Sequence, residues 1–226
     1  MKIGIICAMD EEIRVLQENL QKPEKQTRFG LVFETGSIGR HEVVLLKSGI
    51  GKVMAALAVS FLSELFEVDA IINSGSAGAV DGSLQIGDVV VADRLAYHDV
   101  DVTAFGYKLG QMAEQPLYYE SSKYFISELK KVMQNPIVGL ITSSDSFIAS
   151  PEKILEIKSV FPDDLAVEME GAAIAQAATA LKKPFVVIRA ISDTASHDAN
   201  VSFDQFIVEA GKKSAEILIK MLEHMV

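Results

Sequence analysis

Leu165-Ala166-Val167-Glu168-Met169-Glu170-Gly171-Ala172-Ala173-Ile174-Ala175 sets two carboxylates between an apolar run and a run of small residues. Leu165 to Val167 read as a buried strand and Gly171 opens a small-residue helix, so the glutamates stand at a strand exit. A glutamate is almost never fully buried without a partner, and an ionised carboxylate taken out of water is costly unless something compensates it. If extension continues through Glu170, Glu168 and Glu170 share one face and Met169 takes the other. If a helix begins at Glu170, that carboxylate sits near the positive end of the helix dipole. Both readings aim acid off the carboxyl end of a strand, the edge where open α/β sheets bind ligands. The plain structural alternative is that the two glutamates only cap a helix start.

Other apolar runs behave alike. Met1 to Cys7, Val68 to Ile72, Ile137 to Thr142 and Pro184 to Ile191 read as strands, and polar clusters follow them at Met9–Glu12, Ser74–Gly78, Ser143–Ile148 and Ser192-Asp193. Gly87 to Ala92 is a further strand, and Arg28–Thr35 with His41–Lys47 forms a hairpin around Ser37-Ile38-Gly39-Arg40. Helices are expected from Asp10-Glu11-Glu12 through Leu20, over Val53–Phe66, over Ser122–Met133, from Pro151, and from about Asp204 to the end. This alternation defines an α/β chain whose mostly parallel sheet brings the polar exits to one edge. No linker, repeat or low-complexity tract interrupts residues 1–226, so one domain is expected.

Two segments are read as loops. Asn73-Ser74-Gly75-Ser76-Ala77-Gly78 permits close backbone approach to a ligand, but it lacks Gly-Lys-Ser/Thr and the dinucleotide glycine spacing. Tyr97 to Tyr107 mixes aromatics, acids and glycine without helical period, as a functional or interface loop does. His98 with Asp99 and Asp101 lacks a second histidine at ligand spacing, so a hydrogen-bonded loop is expected there and no metal.

Composition narrows the function. The chain has 226 residues, 49% hydrophobic, with a formal charge of -10, so it has ample core and little to offer nucleic acid or an anionic membrane. Cys7 is the only cysteine, which excludes an intrachain disulfide and points to a reduced, cytoplasmic setting. The first apolar run is short and acids follow it, unlike a signal peptide, and no stretch has the length and charge-free character of a membrane span.

Converging exits would gather Glu12, Glu170, Asp193, Arg189, Ser76 and Phe147 around one pocket. Carboxylates in a closed site divide into acid and base when their environments differ. Such a pair suits cleavage of a bond to an anomeric carbon, one group protonating the leaving group and another activating water. Phe147 offers a face to a flat leaving group.

These residues carry a family pattern. Ile5-Ile6-Cys7-Ala8-Met9 with Glu11-Glu12, Leu46 to Lys52, Asn73 to Gly78, Asp101 to Tyr107, Ala166 to Glu170, and Arg189 to Asp193 together resemble the 5'-methylthioadenosine/S-adenosylhomocysteine nucleosidase family, of the purine nucleoside phosphorylase and uridine phosphorylase superfamily. The resemblance spans essentially the whole chain. It implies a three-layer α/β/α fold with a central mixed, partly barrel-like sheet. It also implies hydrolysis of the adenine N-glycosidic bond of 5'-methylthioadenosine and S-adenosylhomocysteine, and by extension 5'-deoxyadenosine, in methionine salvage and methyl-cycle recycling, with no cofactor. By resemblance Glu12 is the general base and Arg189 helps hold the attacking water, while Asp193, supported by Ser192, protonates adenine N7. Glu170 grips the ribose hydroxyls and Met169 lies against the sugar. Phe147 stacks on adenine and the main chain of Ile148 reads its Watson–Crick edge. Ser76, Ala77 and Gly78 lie beside sugar and base, and Met9, Ile50 and Phe203 wall the ribose and 5' substituent. Family members are homodimers in which Val102 and Phe105 reach into the neighbour's alkylthio pocket. Cys7 stands where many relatives have glycine, and Ala113 where some have proline.

A phosphorolytic relative would need donors for a phosphate dianion. The arginines here are Arg14, Arg28, Arg40, Arg94 and Arg189, and the first strand exits onto Asp10, Glu11 and Glu12. Acids beside a phosphate repel it, so water is the expected nucleophile.

Overall fold

Ile3, Ile5, Ile6 and Cys7 are fully buried because β1 (Lys2–Cys7) runs inside the sheet, parallel to β4 (His41–Lys47) on one side and β5 (Ala70–Ala79) on the other. The computed structural model describes residues 1–194 and 199–225. Ten strands form one sheet. β5 also pairs in parallel with β10 (Phe185–Asp193), which pairs antiparallel with β6 (Val89–Tyr97). β6 runs parallel to β8 (Ile137–Ser143), β8 runs parallel to β9 (Asp164–Glu168), and β9 returns antiparallel to β5. Those five strands close a ring. Beyond β1 and β4 the sheet continues as an open wing through β3 (Leu31–Ile38) and β2 (Gln21–Arg28), and β7 (Tyr119–Glu120) pairs with β6.

Helices cover both faces, completing the three-layer α/β/α arrangement with a mixed, partly barrel-like sheet. α2 (Lys52–Leu65) and α5 (Gly171–Ala180) share one core with Ile6, Leu46, Ile71, Ile141 and Val187. α1 (Asp10–Asn19), α3 (Lys123–Val132) and α6 (Ala199–His224) share the other with Ile5, Leu45, Ile72 and Ile188. The small residues of α5 allow it to lie close to the strands. A Cβ on Gly171 would stand 2.6 Å from Leu95. α4 (Pro151–Val160), capped by Ser150 with Pro151 at its start, packs Ile157 against Ile148, Val80 and Val167 beside the sheet edge.

Several expectations change. Five of the ten strand pairings are parallel, so the sheet is mixed rather than mostly parallel. Asn73 to Gly78 is not a loop, because it continues β5, flanked by β10 and β9. Ser192 and Asp193 likewise lie within β10. β6 runs on to Tyr97, α6 begins at Ala199, and Arg28 ends an additional strand, β2, in place of opening β3.

Candidate active site

Glu12 sits in the first turn of α1, one turn beyond the end of β1, and is 1% exposed. Its Oε2 accepts the amides of Ala8 at 2.9 Å and Met9 at 3.2 Å. Its Oε1 accepts the amide of Ser76 at 2.9 Å and Ser76 Oγ at 3.0 Å. Four donors, two just beyond β1 and two from Ser76 within β5, fix one carboxylate. Such charge-assisted bonds are what make a buried carboxylate tolerable.

Behind Glu12, Arg189 stands opposite Gly75 in the β5–β10 register. A Cβ on Gly75 would overlap Arg189 Nη1 and come within 2.7 Å of Glu12 Oε1, so glycine is required for close approach rather than for a turn. Arg189 Nη2 donates to Asn73 Oδ1 at 2.7 Å, to Glu168 Oε2, and to Glu170 Oε2 at 3.3 Å. Burial opposes its charge, but Glu168, Glu170 and Glu12 outweigh that and hold the proton on.

β9 ends at Glu168, and Glu170 is the N-cap residue of α5. The capping reading holds for Glu168: its Oε2 accepts the amides of Glu170 at 3.0 Å and Gly171 at 2.7 Å, and Ser143 Oγ donates to its Oε1. Glu170 is turned elsewhere, accepting the Gly51 amide at 2.9 Å through Oε1. Burial pushes its carboxyl up to about 7, against the pull of Arg189. Asp193, 1% exposed at the end of β10, accepts Ser192 Oγ at 3.0 Å and pairs with Gly78 across the sheet.

These groups surround a cavity of about 380 Å³. Met9, Glu12, Ile50, Ser76, Ala77, Gly78, Phe147, Met169, Glu170, Ser192, Asp193 and Phe203 all line it. Phe147 meets Phe203 edge to face, with centroids 5.6 Å apart. Ile148 lies next door, on a niche of about 30 Å³ that Gly78, Met169 and Asp193 also border. Arg189 stands behind the wall, with its Nη2 bonds on Asn73 and two glutamates, and Val102 and Phe105 lie outside this cavity. The charged residues on the lining are Glu12, Glu168, Glu170, Asp193 and Asp204, with no Lys or Arg among the described residues there. A larger recess, about 570 Å³, lies beyond Phe147 and Ile148, between His98, Leu109, Lys153 and Phe161. None of Glu12, Glu170 and Asp193 reaches it.

Sequence reasoning missed Asn73, which orients Arg189, and Ser143, which links Glu168 to the Ala172 amide at the start of α5. An asparagine inside an apolar strand was the available signal for the first. Asn200 and Asp204, on the first turns of α6, also line the cavity unannounced. His98 is bonded through Nδ1 to Thr142 Oγ1 at 2.9 Å, and burial lowers its imidazole to about 4.

The closed five-strand ring, with acids gathered beside one cavity, lies within residues 2–223, which match the phosphorylase superfamily. A nucleosidase of Bacillus thuringiensis (strain Al Hakam), described as 5'-methylthioadenosine/S-adenosylhomocysteine nucleosidase, is 42% identical over 230 residues, covering all of both chains. Among solved structures, S-adenosylhomocysteine nucleosidase of Streptococcus pyogenes in complex with 5-methylthiotubericidin superposes with a TM-score of 0.98 at 56% identity, over 100% of this chain and 98% of that one. Futalosine hydrolase of Helicobacter pylori gives 0.95 at 35% identity, over 100% and 98%. The chain belongs to the phosphorylase superfamily and, within it, to the 5'-methylthioadenosine/S-adenosylhomocysteine nucleosidase family.

Proposed function

We propose that the chain hydrolyses the adenine N-glycosidic bond of 5'-methylthioadenosine, S-adenosylhomocysteine and 5'-deoxyadenosine, releasing adenine and the sugar, as a single catalytic domain. The observation that carries this reading is that Glu12 and Asp193 face one cavity whose lining, among the described residues, bears acids and no Lys or Arg. Water tolerates that lining, whereas a phosphate dianion would be repelled by it.

In the reaction, Asp193 gives a proton to adenine N7 as the bond from the anomeric carbon to N9 breaks and its electron pair passes into the purine. Glu12 takes a proton from water as the water oxygen bonds to the anomeric carbon. The fixed donors on Glu12 hold its orientation. Glu170 receives the ribose hydroxyls against Met169, and Phe147 lies on the purine face with Ile148 at its edge. Arg189 acts from behind, setting the spacing of Glu168 and Glu170.

Ile50 lines the cavity and is exposed just ahead of α2, on which Val53 and Leu57, one turn apart, are also exposed. Phe105 is 80% exposed. Both features support a homodimer in which the partner's Val102 and Phe105 complete the 5' pocket. Small nucleosides are the ligands in this reading, and the cytoplasm is the setting, as the single cysteine suggests. Among the described residues no helix is long and apolar enough to cross a membrane.

The deciding experiment is adenine release from each of the three nucleosides, with and without phosphate. Phosphate-independent release is expected. A requirement for phosphate, with formation of a sugar 1-phosphate, would overturn the role given to Glu12.

A further inference from the structure

Two adjacent amides at the head of α2 hold two different parts of the site. Gly51 N donates to Glu170 Oε1 at 2.9 Å, and Lys52 N donates to Asp145 Oδ1 at 2.9 Å. Asp145 stands two residues before Phe147, so the sugar-facing carboxylate and the purine-facing loop are fastened to one helix start. Gly51 has φ +98°, a conformation that side chains rarely adopt, and a Cβ there would stand a tight 3.1 Å from Asp145 Oδ1, so glycine suits the junction.

The Lys52 ammonium braces this junction. It lies 2.7 Å from Asp99, 3.7 Å from Asp145 and 5.3 Å from the centroid of the Tyr97 ring. Asp99 in turn accepts the Asp145 amide at 3.2 Å, and Tyr97 donates its hydroxyl to Gln176 of α5 at 2.6 Å. Isolated exposed ion pairs contribute little. Here the lysine side chain is only 23% exposed, rests on a ring and meets two acids that would otherwise repel each other across the loop's first residues.

We propose that Lys52 is a positioning residue for the reaction: it sets the loop that presents Phe147 to the purine, and ties that loop to Glu170 through the first turn of α2. This rests on reading the cavity as an adenine-nucleoside site.

The test is a double-mutant cycle on adenine release from 5'-methylthioadenosine, using Lys52→Met, Phe147→Ala, the double variant and Lys52→Arg. Lys52→Met should raise KM roughly 10-fold with kcat changed less than about threefold, and Lys52→Arg should recover most of the loss. In the Phe147→Ala background, Lys52→Met should add less than about twofold. An unchanged KM in Lys52→Met, or effects that multiply in the double variant, would overturn the inference. If Lys52→Met does not fold, Lys52→Gln replaces it in the cycle, read by the same criteria. Calorimetry with adenine gives the cycle independently of turnover. A wild-type protein that releases no adenine would instead overturn the functional reading.

Discussion

Glu12 Oε1 accepts both the amide and the hydroxyl of Ser76, at 2.9 and 3.0 Å, so a residue of β5 aims a carboxylate in the first turn of α1. The amide bond survives any substitution that keeps the strand. The hydroxyl bond does not.

Ser76→Ala should therefore loosen Glu12 without displacing it. A hydrogen bond to a charged group contributes about 1.5–3 kcal/mol, so kcat/KM should fall about 10- to 100-fold while the fold persists. Steady-state kinetics beside a thermal melt checks this. Unchanged kcat/KM would show that the backbone donors suffice.

Glu170 should release a proton when a nucleoside binds. Its carboxyl is pushed up to about 7 by burial, and ribose hydroxyls donating to it favour the ionised form, which lowers the pKa in the complex. Affinity of the slow Asp193→Asn variant for 5'-methylthioadenosine should then rise as pH increases toward 7. Calorimetry slightly below neutral pH, in buffers of different ionisation enthalpy, should show proton release to buffer. Enthalpies independent of buffer would contradict the role given to Glu170.

Asp164 supplies a pH dependence of stability away from the chemistry. It is fully buried, accepts Thr142 Oγ1 at 2.6 Å, and burial pushes its carboxyl up to about 8 from 3.8. Because the folded state holds this proton more tightly than the unfolded chain, its contribution is fully present below about pH 4 and is lost as pH rises through about 8. Asp164→Asn keeps the acceptor and removes the titration. Its Tm should fall less than that of the wild type between pH 5 and about 8, with Glu170 leaving a residual slope of the same sign. Parallel pH profiles would contradict the assignment.

The Glu168–Glu170 strand exit could be read from the chain because apolar and small-residue runs flank two charges there, and burial of charge demands a partner. Convergence with Glu12 and Asp193 followed from α/β alternation. Asn73 to Gly78 could not be read as strand, since its glycines and serines are loop residues by local preference. They are extended here because Arg189 and Glu12 occupy the space that larger side chains on β5 would fill, as the Gly75 environment shows. β2 carries no apolar alternation, for it is an edge strand with nearly every residue exposed, held by its pairing with β3. The closing of the ring through antiparallel β10–β6 and β9–β5 pairs depends on contacts between segments far apart in sequence, which no local pattern records.

The most direct measurement of the acid–base mechanism is single-turnover adenine release by Asp193→Asn, with nucleoside affinity determined on the same preparation. The carboxamide cannot donate a proton to the purine as the acid does, so the rate should fall about 10²- to 10⁴-fold while 5'-methylthioadenosine still binds. Release at the wild-type rate would remove Asp193 from the mechanism and contradict the assignment of this cavity's acids.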